Sequence, residues 1–509
     1  MKNSVIALLC SYALGAALSV AAPCTMAANK ADATALIRQA LAAQGGELRL
    51  RALKSIQWEA SGYRNMVEQS ERPNGPYLTE FDTVSEVHDF AGGRYRRKVD
   101  GTVFPFGPFW SGIVVDRTAA MRVGANGQAA ATPQQAQLAR ERLALSPERL
   151  LLTALDATDH HLEADAVLQD VPQRVVAFML DGAPVRVYLN AYTLLSTAVD
   201  YAGPLARTAF WSFLGDVTLR TYYSFWWLAK GGLHYPMQWN MESNGLPDGM
   251  LHIHALRIDE AVAEADLAIP DAVRAAYDPN ARPADRDNTP LGLASQPAQE
   301  PAPGIVFIPG EWNATIVRQD DGIVIVEAPI SSGYAVKVLA EARRRFPGLP
   351  VKALITTSDA WPHLAGVRQY VAEGIPIYAL DLNKPILDRV IGAAYTSRPD
   401  ALQAHPRKAD YRLVKGKTTL GTGANRIELY SMRGETSERQ MMVYFPAHRL
   451  LYGSDAFQPD NKGGYFYPQT ISELTDAVAR ERLAVDTFFM MHADPTPWPA
   501  LAKAVRAAE

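Results

Sequence analysis

Thiols are nearly absent: the 509-residue sequence holds two cysteines, Cys10 and Cys24, both within its first 28 positions. A chain that loses that segment has no disulfide, no cysteine nucleophile and no thiolate metal ligand, so any metal must be held by His, Asp and Glu. A surplus of positive charge is also missing. Fifty Lys and Arg stand against 54 Asp and Glu, for a net charge of −4, which leaves no field for gripping a phosphate backbone and removes nucleic acid as a partner. After residue 22 no stretch is apolar and long enough to cross a membrane. With 48% hydrophobic and 20% charged residues, the remainder has the composition of a globular protein.

The N terminus has its own pattern. Lys2 opens a short basic start, Val5 to Ala22 is an apolar run, and Thr25-Met26-Ala27 offers small residues for cleavage. Residues 1–28 are therefore expected to be a secretory signal peptide, placing the mature protein in the periplasm or outside the cell. The competing reading is an uncleaved anchor, because the run is near the lower length limit for spanning a bilayer.

Between Asp278 and Gly304, six prolines (Pro279, Pro283, Pro290, Pro297, Pro301, Pro303) alternate with small and charged residues, so 279–303 reads as a semi-extended linker. It separates residues 29–278 from 304–509, and each part is long enough for its own core. The first part opens with a helix, Ala31 to Ala43, broken at Gly45-Gly46. Period-two stretches follow at Ser55–Tyr63, Thr79–Phe90, Arg174–Leu180, Val185–Leu189, Thr218–Trp226 and Gly249–Asp259, interrupted by helical Pro133–Leu155. Many strands with few crossover helices predict an antiparallel sheet wrapped over helices, within an α+β chain. In composition and element order this part resembles periplasmic lipoprotein-carrier domains, and that resemblance implies a half-barrel able to hold acyl chains.

The first part is rich in aromatics: Phe104, Phe106, Phe109, Trp110, Trp211, Trp226, Trp227 and Trp239. They fill a core or line an apolar ligand groove. His252 and His254 share a strand face, where ordinary surface histidines are the expectation; the neighbouring pair His160-His161 carries still less signal.

From Gly304 the pattern becomes strand, strand, helix, strand, helix, then a second set of strands and a helix, which builds layered sheets with outer helices. Trp312-Asn313-Ala314-Thr315, the run from Asp321 to Pro329, Leu354 to Val367, Gly434-Glu435-Thr436, Val443 to Pro446, Gly453-Ser454-Asp455 and Met491-His492 follow one another in order. On these residues 304–509 resembles the metallo-β-lactamase superfamily, which implies an αββα sandwich. The family's Thr-His-x-His-x-Asp-His-x-Gly-Gly loop reads here Thr357-Ser358-Asp359-Ala360-Trp361-Pro362-His363-Leu364-Ala365-Gly366. Of its ligands only His363 survives. The later family histidine is Glu435, the bridging aspartate is matched by Asp455 and the last histidine by His492.

The resemblance thus leaves one metal position, with His363, Asp455 and His492 as ligands and Glu435 as a fourth, for a single divalent ion; zinc is the expectation, with Fe²⁺ and Mn²⁺ as other occupants. Asp359 is the nearest replacement for the lost aspartate that would hold the attacking water, against the alternative of a helix-capping residue. Two functions follow: a hydrolase with a degenerate, at most mononuclear site acting on a small-molecule or lipid-like substrate, or a catalytically silent domain whose aromatic N-terminal partner binds an apolar ligand in the cell envelope. The glycine-rich, aromatic stretch within Ala456–Thr470 suits a lid or an ordered surface loop equally.

Overall fold

The computed structural model describes residues 21–69, 72, 74–103, 107–202, 211–282, 285–459, 464–465 and 467–508. The apolar run up to residue 20, Phe104, Phe106, Pro283 and most of the segment Asn461–Phe466 lie outside the described residues.

The first part is one open antiparallel sheet of fourteen strands. From the edge strand Gly127–Ala130 the order runs through Ala120–Gly124, Gly107–Val115, Arg94–Val103 and Thr79–Asp89 to Ser55–Asn65. The first strand of the chain then pairs with the last of this part, Leu246–Ile258, and the order continues through Leu233–Ser243, Leu219–Ala229, Ser196–Tyr201, Ala183–Asn190 and Val171–Leu180. Alternation explains the face that is covered: Val185, Val187 and Leu189 are buried while Arg186 between them reaches outward. The covering helices are Ala21–Gln44, Pro133–Ala144 and Pro147–Asp156: the first and last complete a core around Ile37, Leu41, Leu151 and Trp58, and the second packs Ala136 and Ala139 on Tyr95 and Val115. The helix Pro133–Ala144 starts on a capping box made by Thr132 and Gln135.

A buried charge cluster pins the last of these helices to the sheet. His88, fully buried, places Nδ1 2.5 Å from Glu148 and Nε2 2.9 Å from Glu86, and Arg97 donates to the other Glu86 oxygen at 2.5 Å. Burial alone would depress the His88 pKa, but the two carboxylates raise it to about 9.

The second part is a four-layer αββα sandwich. A seven-stranded sheet spans Gln299–Ala302 to Tyr411–Val414, and a six-stranded sheet spans Thr418–Leu420 to Ala493–Pro497. Strand Gly322–Val326 shows why its sequence is apolar throughout. Ile323 and Ile325 pack under the helices Ser332–Arg345 and Val367–Ala372, while Val324 and Val326 face Val443, Phe445 and Phe489 of the other sheet. The helices Pro468–Arg480 and Pro499–Ala508 cover the far side.

The proline-rich segment is less free than its composition suggests. Asp285 and Asp287 both reach Arg398, at 2.7 and 3.0 Å. Asp287 also accepts from the Gly333 N–H at 2.9 Å, at the start of the helix Ser332–Arg345, where a carboxylate is favoured by the orphan N–H groups. A Cβ at Gly333 would lie 2.5 Å from Asp287, so this approach requires glycine. Gln299–Ala302 is itself a strand of the sandwich. Proline keeps the segment from forming a core, but its carboxylates still dock it.

Three further contacts join the parts. Phe213, from the connection between two strands of the large sheet, is buried in the sandwich core. Asp216 accepts from the Thr396 and Ser397 backbone and from the Thr396 hydroxyl, and the Glu68 carbonyl accepts from the Trp361 N–H at 3.0 Å.

Candidate functional site

Four neighbouring strands of the sandwich end at one place, and the residue that follows each end supplies the chemistry. Glu327 follows Gly322–Val326, Thr357 to Asp359 follow Val351–Thr356, Asp455 lies just beyond Leu450–Tyr452, and His492 just beyond Thr487–Met490. Two of these turns are strained: Glu327 and Ser454 hold φ of +74° and +59°, a left-handed conformation that costs a non-glycine residue about 1 kcal/mol. Surrounding bonds enforce it. The Glu327 N–H donates to Ile355 O at 2.8 Å, its carboxylate accepts from the Thr357 hydroxyl, and Thr357 Oγ1 lies 2.8 Å from Ser454 Oγ.

His363 sits on the single turn Trp361–Leu364, opened by Pro362. It is fully buried between two carboxylates, with Nδ1 3.1 Å from Glu327 Oε2 and Nε2 2.7 Å from Asp455 Oδ2. The second Asp455 oxygen lies 3.0 Å from His492 Nε2. A polar chain therefore runs from the interior to the surface: Glu327, His363, Asp455, His492. Burial alone would lower the pKa of His363, yet Asp455 and Glu327 push it up to about 10. Burial alone would raise that of Asp455, and the two imidazoles hold it far below the usual carboxylate range.

His492 and Asp455 open onto a cavity of about 290 Å³ whose walls include Gln69, Trp312, Asp359, Gln440 and Tyr467. Gln69 comes from the large-sheet part, so both parts of the chain line it. Trp312 meets Trp361 edge to face at 4.6 Å, and Arg286 stacks 5.2 and 5.6 Å from the two rings.

Of the residues expected here, His363, Asp455 and His492 converge, and Asp359, almost fully buried, lines the same cavity. Glu435 does not join them. Its side chain is exposed, because the turn carrying it is held by Glu473, which accepts from the N–H groups of Glu435, Thr436 and Ser437 at 2.9 to 3.1 Å. Glu327 escaped sequence reasoning; the signal was an acidic residue closing an otherwise apolar strand.

A divalent ion does not fit this donor set as arranged. Ligands of a tetrahedral ion with bonds near 2.0–2.1 Å stand about 3.3 Å apart, whereas His363 Nε2 and Asp455 Oδ2 share a proton at 2.7 Å. Both His363 nitrogens face carboxylates, and a metal requires a neutral imidazole with a free lone pair. Among the described residues no group of three His, Cys, Asp or Glu is arranged to hold a metal.

The aromatic residues of the first part divide. Trp239 packs edge-on to Trp58 and Tyr223 at 5.2 and 5.9 Å, and Trp226 packs on Tyr223 at 6.4 Å. Trp227 and Trp110 are exposed. A second cavity, of about 220 Å³, opens beside Tyr223, Trp239 and Met241 under the helices Pro133–Ala144 and Pro147–Asp156. His252 and His254 lie on the exposed strand face, as expected of ordinary histidines.

No protein-family profile matches the sequence, and no curated protein matches it. Among solved structures, the chain is similar to the DIM-1 metallo-β-lactamase, at 17% identity over 42% of this chain and 97% of that one, with a TM-score of 0.32. It is also similar to a metallo-β-lactamase from Erythrobacter litoralis, at 16% identity over 42% and 95%, TM-score 0.32. A third is the stereoselective inverting sec-alkylsulfatase Pisa1 from Pseudomonas sp., at 15% identity, TM-score 0.32. That match covers 43% of this chain and spans only 40% of the sulfatase's length. By their own strand order and layers, residues 299–508 form an αββα sandwich. Among the described residues, no helix is long and apolar enough to cross a membrane.

Proposed function

We propose that the sandwich is a hydrolase domain in which the polar chain Glu327–His363–Asp455–His492 takes the place of metal ligands. His492 then acts as the general base that withdraws a proton from water and returns it to the leaving group. The observation that carries this reading is the 3.0 Å approach of Asp455 to His492 at the mouth of a cavity. A carboxylate so placed orients the imidazole and stabilises the imidazolium as it forms. His363, wedged behind Asp455, fixes that carboxylate in turn.

The lining favours a substrate class. Asp359 and Asp455 contribute carboxylates, and among the described residues no Lys or Arg lines the cavity, an arrangement that disfavours phosphate and sulfate esters and suits uncharged carboxylic esters, thioesters or lactones. The leader-like N terminus supports a setting outside the cytoplasm.

The test is hydrolysis of p-nitrophenyl acetate, p-nitrophenyl phosphate and p-nitrophenyl sulfate by the full chain. Turnover of the acetate alone, lost in His492→Ala, reduced in Asp455→Asn and indifferent to a chelator, is the expected result. Activity removed by chelation and restored by zinc would overturn the metal-free assignment. A second reading, a carrier for a short apolar chain, is supported by the cavity beside Trp239, which is smaller than the roughly 300 Å³ at which drug-sized pockets begin. Its check is organic extraction of the purified protein.

A further inference from the structure

Away from both cavities, the outer face of the large sheet carries an open groove of about 720 Å³, and strand register explains its shape. Ser61, Thr83, Asp100 and Trp110 are paired in one row across four neighbouring strands, and Phe81 pairs with Thr102 in the next row but one. Residues directly opposite in antiparallel strands project to the same face. The alternate row, Ala60, Val84 and Val99, points into the core, so the groove faces away from it. Phe81 is 61% and Trp110 41% exposed. They stand two strands apart, about 10 Å across the sheet, with only short side chains between them.

The chemistry of the floor selects the occupant. Ser61, Thr83 and Thr102, whose side chains end in hydroxyls, are exposed. Asp100 is matched by Lys98 at 2.9 Å, and the other carboxylate of the lining, Asp82, belongs to the row that turns to the opposite face, so the outer face of the groove carries a charge pair rather than a net charge. A lipid or an apolar peptide would strip water from three hydroxyls and leave them unpaired, at about 1–3 kcal/mol each. An ion would find no excess of opposite charge. A sugar ring has what both surfaces require: a C–H face to lie on an aromatic ring and a rim of hydroxyls to replace the displaced water.

We infer that this groove binds a neutral oligosaccharide, with Trp110 and Phe81 as the stacking platforms and Ser61, Thr83 and Thr102 as hydrogen-bonding partners. It lies on a different part of the chain from His492, so it holds the protein on a glycan independently of any hydrolytic step.

The experiment is calorimetric titration of the full chain with chitotetraose, cellotetraose and maltotetraose, alongside tryptophan fluorescence. Binding of at least one is expected, weakened about tenfold or more by Trp110→Ala and by Phe81→Ala. Replacing the groove hydroxyls in Thr83→Val with Thr102→Val should weaken it comparably while keeping shape. Trp227→Ala, exposed elsewhere on the sheet, should bind as the parent does. Both platform residues are solvent-facing, so circular dichroism should confirm intact folding. The inference is overturned if none of the three saccharides binds at millimolar concentration, or if binding survives Trp110→Ala. It is equally overturned if Trp110 instead governs sedimentation with phosphatidylcholine vesicles or self-association of the chain.

Discussion

Each half of the molecule contains a fully buried histidine held between two carboxylates, and the two clusters differ in what lies beyond them. In the large sheet, His88 joins Glu86 on its own strand to Glu148 on a covering helix, and all three side chains are shielded from solvent. In the sandwich, His363 joins Glu327 to Asp455, and Asp455 passes on to His492, which keeps solvent contact in a cavity. One arrangement closes on itself and the other has an exit. A buried imidazolium between carboxylates is thus a packing device in the first case and, in the function proposed above, a support for a reactive group in the second. Burial and charge pairing alone do not mark a reactive site; the accessible last member does.

The sharpest way to break the comparison is to remove each histidine. His88→Ala leaves Glu148 buried without its imidazole partner, since Arg97 compensates only Glu86, and the expected loss is about 3–5 kcal/mol of unfolding free energy, read from urea titration. The same cluster makes a pH prediction. The folded-state pKa of His88 is raised from 6.5 to about 9, so its stabilisation is fully present below pH 6.5 and disappears as pH rises through about 9. The difference in stability between the parent and His88→Gln should therefore shrink over that window. A difference that grows with pH would mean that His88 is neutral in the fold.

His492→Ala should do the opposite. Loss of a positioned general base is expected to cost about 100-fold or more in turnover, while the ring, 18% exposed, contributes only about 1 kcal/mol to stability. Finding the larger stability change here, or an unaltered rate, would erase the distinction between the clusters.

Much of this was legible in the sequence, and the exceptions have physical causes. Gly322–Val326 announced itself because a strand covered on both faces must be apolar throughout. Arg94–Val103 did not, because its outward positions are Arg96, Lys98 and Asp100 and only Tyr95, Val99 and Val103 mark the inner side. His363, Asp455 and His492 were found by their place in an ordered set of motifs, since each follows a recognisable strand. Glu435 occupied a ligand position in that order, yet its direction depends on Glu473, some 38 residues away, which spacing alone does not reveal. The docking of Asp285 and Asp287 was hidden for the same reason: composition predicts an absence of core, and says nothing of where a carboxylate finds a helix start.

The smallest expected effect concerns how the two halves meet over the cavity. Arg72, from the large-sheet part, pairs with Glu438 of the sandwich at 2.6 Å, and both side chains are partly exposed. Solvent screening limits such a pair to less than about 1 kcal/mol, so Arg72→Ala should scarcely move the unfolding transition, and the difference should vanish in high salt. Gln69, three residues earlier, lines the cavity, so loosening this contact should raise KM for p-nitrophenyl acetate while leaving kcat unchanged. A fall in kcat equal to that of His492→Ala would instead make the contact between the halves part of the proton-transfer machinery, and the exit at His492 could no longer be assigned to the sandwich alone.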